Sequence, residues 1–244
     1  MQENGSLNDM TARREPVFNL PSAVAGISLC LLAVHLVRMV VFSDDFDWEV
    51  IVRFGFIPAQ IFYGPLEGHS IVEGWGLKAV PFLSYAFLHG DLLHLGFNTL
   101  WLVAMGSPVE RLMGAGRFCA FAAIGAILAA VFYGVFNAHS EAPMIGASGA
   151  VSAMMGGLVR FMFAAGRRTG RSSQSGLLLF AGIWIALNVF TGTMGIGPTG
   201  GVQSIAWEAH VGGFLAGALL LPVFARRGGL DPRTPRLRET NDDR

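Results

Sequence analysis

The sequence predicts an all-α polytopic membrane protein, and three observations point that way. Hydrophobic residues make up 52% of the 244 positions and charged ones only 14%, whereas soluble domains carry about a quarter charged residues. The apolar residues fall in runs long enough to cross a bilayer, which takes about 20 residues per helix. The arginines gather at alternate ends of those runs. The expected architecture is a six-transmembrane-helix bundle over residues 20–225 with an interfacial first loop. A polar N-terminal segment, 1–19, precedes it and a polar tail, 226–244, follows.

The first run, Leu20 to Phe42, is long enough to span. No small-residue cleavage site follows it, so it reads as a membrane helix rather than a signal peptide. His35 and Arg38 lie in its second half. Arg38 is expected to snorkel to the nearer surface and His35 to face other helices. Residues 43–80 mix Asp44, Asp45, Asp47 and Glu49 with Phe54, Phe56, Tyr63 and Trp75, a composition suited to the membrane interface. That loop is either a substrate-facing element or an interfacial anchor.

The second span covers Asp91 to Met113, with Asp91 placed as an N-cap after Gly90 and Glu110-Arg111 at the far end. A third span covers about 115–137 and a fourth runs from Ser148 to about Ala165. The fifth covers about 176–193, and a glycine-rich connection, 194–205, leads to the sixth at about 206–225. Six spans put Arg13, Arg14, Arg111, Arg117, Arg167, Arg168, Arg171, Arg226 and Arg227 on one side. By the positive-inside rule both termini are expected in the cytoplasm.

Zero net charge gives no electrostatic basis for binding nucleic acid. Cys30 and Cys119 both sit in apolar runs, which argues against a disulfide framework or a thiolate metal site. No metal or cofactor is implied. The expected partner is the lipid bilayer.

Chemistry centres on Ile145-Gly146-Ala147-Ser148-Gly149-Ala150. Small residues around a serine either act as glue between membrane helices or let the backbone bend round a nucleophile. At a helix N-terminus the hydroxyl would stand among free N–H groups that favour developing negative charge. His94 and Asn98, four residues apart, share a face near the outer end of the second span. His210 lies a few residues into the sixth, with Gly213 and Gly217 on the same face. Those glycines let the sixth helix press on a neighbour, here the one led by Ser148. A hydroxyl, a base and two donors thus converge at one predicted depth. Polar side chains inside a membrane are costly and carry a functional prior.

With these motifs in order, the chain resembles the rhomboid intramembrane serine proteases from about Pro81 to Gly217. Phe87-Leu-His-Gly-Asp-Leu-Leu-His94-Leu-Gly-Phe-Asn98 is similar to that family's histidine–asparagine segment, and Gly106-Ser-Pro-Val-Glu110-Arg111 to its next stretch. Gly146-Ala-Ser148-Gly149 resembles the nucleophile motif and Ala209-His210-Val-Gly-Gly213-Phe-Leu-Ala-Gly217 the base-bearing helix. The resemblance implies a Ser148–His210 dyad without an acid. It makes His94 and Asn98 oxyanion donors, assisted by the Ser148 N–H. It also implies cleavage of transmembrane segments near the outer face of a bacterial inner membrane. His89 matches a position of structural hydrogen bonding.

Glu208 projects roughly 200° round the helix from His210 and should not orient it. The family often has an aromatic residue stacked on the histidine four positions after the nucleophile; here that position is Ser152, so His210 must be held by other contacts. The gate is expected at the fifth span with loop 194–205, or at the loop before Ser148; Trp184 and Phe190 are expected to pack in the core or, alternatively, at that gate. The alternative is a rhomboid-like pseudoprotease that binds membrane clients without cutting them. A channel or transporter would be expected to show repeated halves with broken helices, and no such repeat is evident.

Overall fold

The computed structural model describes residues 20–64, 78–169, 174–194 and 206–225. Among them every regular element is helical. Helix α1 is Ser22–Val41, and two short helices, α2 (Asp44–Phe54) and α3 (Pro58–Tyr63), follow. Next come α4 (Pro81–Ser84) with a 3-10 turn, Tyr85–Phe87, and the long helix α5, Leu92–Met113. Helices α6 (Ala115–Phe136), α7 (Ser148–Thr169), α8 (Gln174–Met194) and α9 (Trp207–Phe224) complete the bundle. Five helices, α1, α5, α6, α7 and α9, are long and apolar enough to cross a membrane, and α8 carries a shorter apolar stretch, Leu178–Met194. Both polar ends, 1–19 and 226–244, and most of the glycine-rich connection lie outside the described residues.

The helix boundaries have local causes. The Asp91 carboxylate accepts from the His94 N–H at 2.7 Å, so Asp91 is the N-cap of α5 as expected. At its other end Glu110 is buried, and its carboxylate accepts from Ala23 N at 3.1 Å and Val24 N at 2.8 Å. It thereby caps α1, where free N–H groups and the helix dipole favour an anion. A π-helical turn, Leu102–Gly106, interrupts α5. There Gly106 lets Val24 and Phe118 close in to 3.1–3.2 Å of where a Cβ would stand.

Arg38 departs from the sequence expectation. It is only 6% exposed and does not snorkel. Its Nε and Nη2 donate to the two Asp47 oxygens at 2.7 and 2.9 Å, and Nη1 donates to the His89 carbonyl at 2.9 Å. The arginine therefore ties α1 to α2 and to the start of α5. A bidentate, hydrogen-bonded pair makes such burial tolerable.

The structure also gives residues 43–64 a definite task. Phe56 and Met144 form an antiparallel bridge, with N–H···O distances of 3.0 and 2.9 Å, and Ala59 N donates to Ser140 O at 3.0 Å. These bonds support the loop that leads into Ser148. Phe56 is fully buried in a cluster with Tyr85, Ala129, Ala130, Tyr133 and Ala209.

The tightest packing joins α7, α9 and α6. A Cβ at Gly213 would run into the Gly149 carbonyl, one at Gly217 into the Ala153 carbonyl, and one at Gly156 into the Phe214 carbonyl. Three backbone-to-backbone approaches fix α9 against α7, as small residues do between membrane helices.

Candidate active site

Helix α7 begins at Ser148 because the backbone turns sharply just before it. Gly146 has φ +118°, a conformation open to glycine, and Val151 N donates to Ala147 O at 3.0 Å to start the helix. The turn is held from beneath. Gly146 N donates to the Tyr85 carbonyl at 2.9 Å, and Ala147 N to His89 Nε2 at 3.4 Å. Tyr85 is buried, donates to Ala126 O at 2.9 Å, and its hydroxyl lies 2.7 Å from where a Gly149 Cβ would stand. Burial raises the Tyr85 pKa, so it stays a neutral donor. His89, fully buried, has its pKa lowered to about 3, chiefly by burial and then by the neighbouring His94 and His35. A neutral imidazole can accept the Ala147 N–H, so His89 takes the structural place expected for it.

Ser148 Oγ lies 2.8 Å from His210 Nε2. His210 is in the first turn of α9, and Gly213, one turn on, sets how near that turn comes to Gly149. The packing of two glycine-bearing helices thus fixes the serine–histidine distance. His94 and Asn98, one turn apart on α5, line the same cavity of about 550 Å³, together with Trp101, Met155, Trp184 and Ser152. The space where a Gly146 Cβ would stand is 2.7 Å from His94 Nε2 and 3.9 Å from Asn98 Nδ2. A side chain at 146 would therefore fill the region beside Ser148 that both groups face. Asn98 Nδ2 donates to His94 O at 2.9 Å, which spends one of its two hydrogens and leaves the other available.

All four polar residues chosen from the sequence line one cavity, and the four glycines have separable positions. Gly146 shapes the turn, Gly149 lets the start of α7 close on Ala129 and Tyr85, and Gly213 and Gly217 seat α9 on α7. Ser152 is buried against Gly213 and lines the cavity as well. Trp184 stacks on Phe214 of α9 with centroids 5.2 Å apart, and Phe190 is exposed.

One contact was missed from the sequence. His210 Nδ1 lies 2.6 Å from Asn188 Oδ1, on α8. The signal was present: Asn188 is an amide inside the apolar stretch Leu178–Met194, and polar side chains at that depth carry a functional prior.

The fold and site together define a polytopic helical protein with a serine at a helix start, paired with a histidine from the neighbouring helix. Residues 76–227 match the Rhomboid domain family model, and the chain belongs to the rhomboid family. It is similar to the rhomboid protease GlpG of Serratia proteamaculans, 33% identical over 159 residues, covering 64% of this chain and 50% of that protein. The rhomboid protease GlpG of Klebsiella pneumoniae subsp. pneumoniae is 31% identical over 155 residues, covering 62% and 50%. That of Pectobacterium atrosepticum is 31% identical over 152 residues, covering 61% and 49%. The chain spans about half the length of the curated relatives it matches.

Proposed function

We propose that the chain is an intramembrane serine endopeptidase that cleaves transmembrane segments of membrane proteins near the outer face of a bacterial inner membrane. Both termini would lie in the cytoplasm, on the side carrying most of the arginines. The observation that carries the reading is the 2.8 Å approach of Ser148 Oγ to His210 Nε2 inside a cavity bordered by His94 and Asn98. A hydroxyl is a weak nucleophile unless a base takes its proton as it attacks.

In this reaction Ser148 Oγ attacks the scissile carbonyl carbon and its proton passes to His210 Nε2. The new oxyanion accepts from the Ser148 N–H, from His94 Nε2–H and from the remaining Asn98 Nδ2 hydrogen. Such preorganised donors act most strongly away from bulk water. Collapse expels the amine, which takes the proton from His210, and leaves an ester on Ser148. Water, deprotonated by the same imidazole, then releases the acid. Polar groups at membrane depth are tolerated where they line a water-filled cavity, and hydrolysis needs such a cavity.

The deciding experiment is cleavage of a transmembrane reporter by the purified chain in proteoliposomes, alongside labelling by a fluorophosphonate. Ser148→Ala and His210→Ala should each abolish cleavage and labelling with membrane insertion intact. Cleavage surviving in Ser148→Ala would remove the serine mechanism. A wild-type chain that neither cleaves nor labels would leave a client-binding pseudoprotease.

A further inference from the structure

We propose that Asn188 is the third member of the site, a positioning residue that fixes the tautomer and ring plane of His210. The inference rests on the peptidase reading above and adds a residue that the dyad does not contain.

The hydrogen-bond inventory of Asn188 decides which way the imidazole is protonated. Asn188 Nδ2 donates to the Trp184 carbonyl at 2.8 Å, one helical turn back. A carbonyl oxygen can only accept, so the amide nitrogen faces Trp184 and Oδ1 faces His210. Oδ1 in turn can only accept, so the 2.6 Å contact requires a hydrogen on His210 Nδ1. In a neutral ring the other nitrogen is then bare. Nε2, 2.8 Å from Ser148 Oγ, is therefore the acceptor that proton removal from the hydroxyl needs. Without Asn188 the ring could carry its hydrogen on Nε2, where it would donate to the serine and could not act as base.

The arrangement also answers what holds the histidine where position 152 carries no aromatic ring. Ser152 is buried on the α7 side of the site, against Gly213. Asn188 comes from α8 and holds the ring through its edge rather than its face. The base is thus bracketed by hydrogen bonds on both nitrogens, from two helices other than its own. A neutral amide orients the ring without the charge that a carboxylate would bring. It stabilises the imidazolium less than an aspartate would, and it avoids placing an anion within the bilayer.

The test compares wild type, Asn188→Ala and Asn188→Asp as full chains in proteoliposomes. The rate of fluorophosphonate labelling at Ser148 and the kcat and KM for a transmembrane reporter are followed against pH. Losing one partner of a buried hydrogen bond should slow labelling of Asn188→Ala by about 10- to 100-fold, with kcat falling and KM nearly unchanged. Asn188→Asp restores the acceptor and adds a charge that favours the imidazolium. Its labelling should recover above neutral pH, and the acidic limb of its pH profile should move up by about one unit or more. A residue that only packs α8 would leave that limb where it is.

A third measurement does not depend on activity. The 15N shifts of His210 in the neutral wild-type chain should show Nδ1 protonated and Nε2 bare, with the tautomers mixed in Asn188→Ala. The proposal is overturned if wild-type His210 carries its hydrogen on Nε2. It is equally overturned if Asn188→Ala labels within twofold of wild type while Asn188→Asp leaves the acidic limb in place. A wild-type chain with the Nδ1–H tautomer but no labelling would instead sink the peptidase reading and leave the Asn188 bond standing.

Discussion

Replacing Gly213 by alanine should disable the site without touching a reacting group. Gly213 lies one turn after His210 and packs on the backbone of Gly149, the residue that follows Ser148. A Cβ there would collide with the Gly149 carbonyl oxygen and stand 3.1 Å from its carbonyl carbon and 3.2 Å from Ser152 Cβ. Two of these three neighbours are backbone atoms, which cannot swing aside as a long side chain would. Helix α9 must therefore retreat from α7 by on the order of 1 Å, an overpacking that costs about 1–3 kcal/mol. The same retreat stretches the Ser148–His210 contact from 2.8 Å past the roughly 3.5 Å beyond which a hydrogen bond is no longer formed. A misplacement of that size typically costs about 100-fold in rate. Fluorophosphonate labelling at Ser148 and thermal unfolding in the same detergent measure the two effects together. Gly182→Ala is the control, because a Cβ at that position meets nothing within 4 Å. Labelling of Gly213→Ala within twofold of wild type, at an unchanged melting temperature, would refute the idea that this helix contact sets the dyad.

Three further outcomes follow from the supporting structure. Glu110→Ala strips the acceptors from Ala23 N and Val24 N and should lower stability by about 2–6 kcal/mol, since each orphaned buried donor costs about 1–3 kcal/mol. Glu110→Gln, which keeps one acceptor oxygen, should lose less in the same unfolding assay. His89 is held neutral down to about pH 3 in the fold and titrates near 6.5 when free. Between those values the unfolded chain binds the extra proton, so the His89 contribution is present above pH 6.5 and declines as pH falls. The wild-type melting temperature should therefore drop more steeply than that of His89→Gln from pH 7 to 5. Gly192 is four residues after Asn188, and its Cβ position stands 2.8 Å from both Cβ and Cγ of Trp207 at the start of α9. Gly192→Val should wedge α8 from α9 and slow labelling at Ser148 by about tenfold or more through loss of one buried hydrogen bond.

Features that repeat or run long were legible in the sequence. Five of the six expected spans agree to within a few residues with helices long and apolar enough to cross a membrane, because an apolar run of bilayer length has few other readings, while the fifth expected span falls on α8 with its shorter apolar stretch. Ser148 and His210 were matched through the glycine spacing on the sixth span, which states a close helix contact without needing to know the partner. Asp91 announced itself as a cap because capping is local. Features that depend on one distant partner were not legible. Arg38 pairs with Asp47 and the His89 carbonyl, and Glu110 with the start of α1, 86 and 87 residues away. No period or motif marks such contacts. The bridge between Phe56 and Met144 involves single residues on two irregular segments, so the part that 43–64 plays in supporting the Ser148 turn left no pattern. Asn188 is the intermediate case. Its amide in an apolar run was a visible anomaly, but its bond to Trp184 O one turn back would alone account for it. Only the fold reveals that its oxygen meets His210.

The two brackets on His210 differ in how firmly they are anchored. The Ser148 side is built from α7 and α9, whose backbones touch at Gly213, Gly217 and Gly156 with no side chain between them. The Asn188 side is carried by α8, which packs far more lightly against α9 and α7 and turns Leu179, Ile183, Leu187 and Phe190 outward. Helix α8 also contributes Trp184 to the wall of the cavity, so it is a wall held less firmly than the α7–α9 pair. On the proposed peptidase reading, a displacement of α8 would admit a substrate and, by the same movement, draw Oδ1 away from Nδ1. The imidazole is then free to lose the tautomer that a base requires, while the Ser148–His210 pair keeps its helix contact. On the proposed peptidase reading, hydrolysis would in this way be tied to the return of α8 by one hydrogen bond of 2.6 Å, and the glycine-locked pair would not need to move.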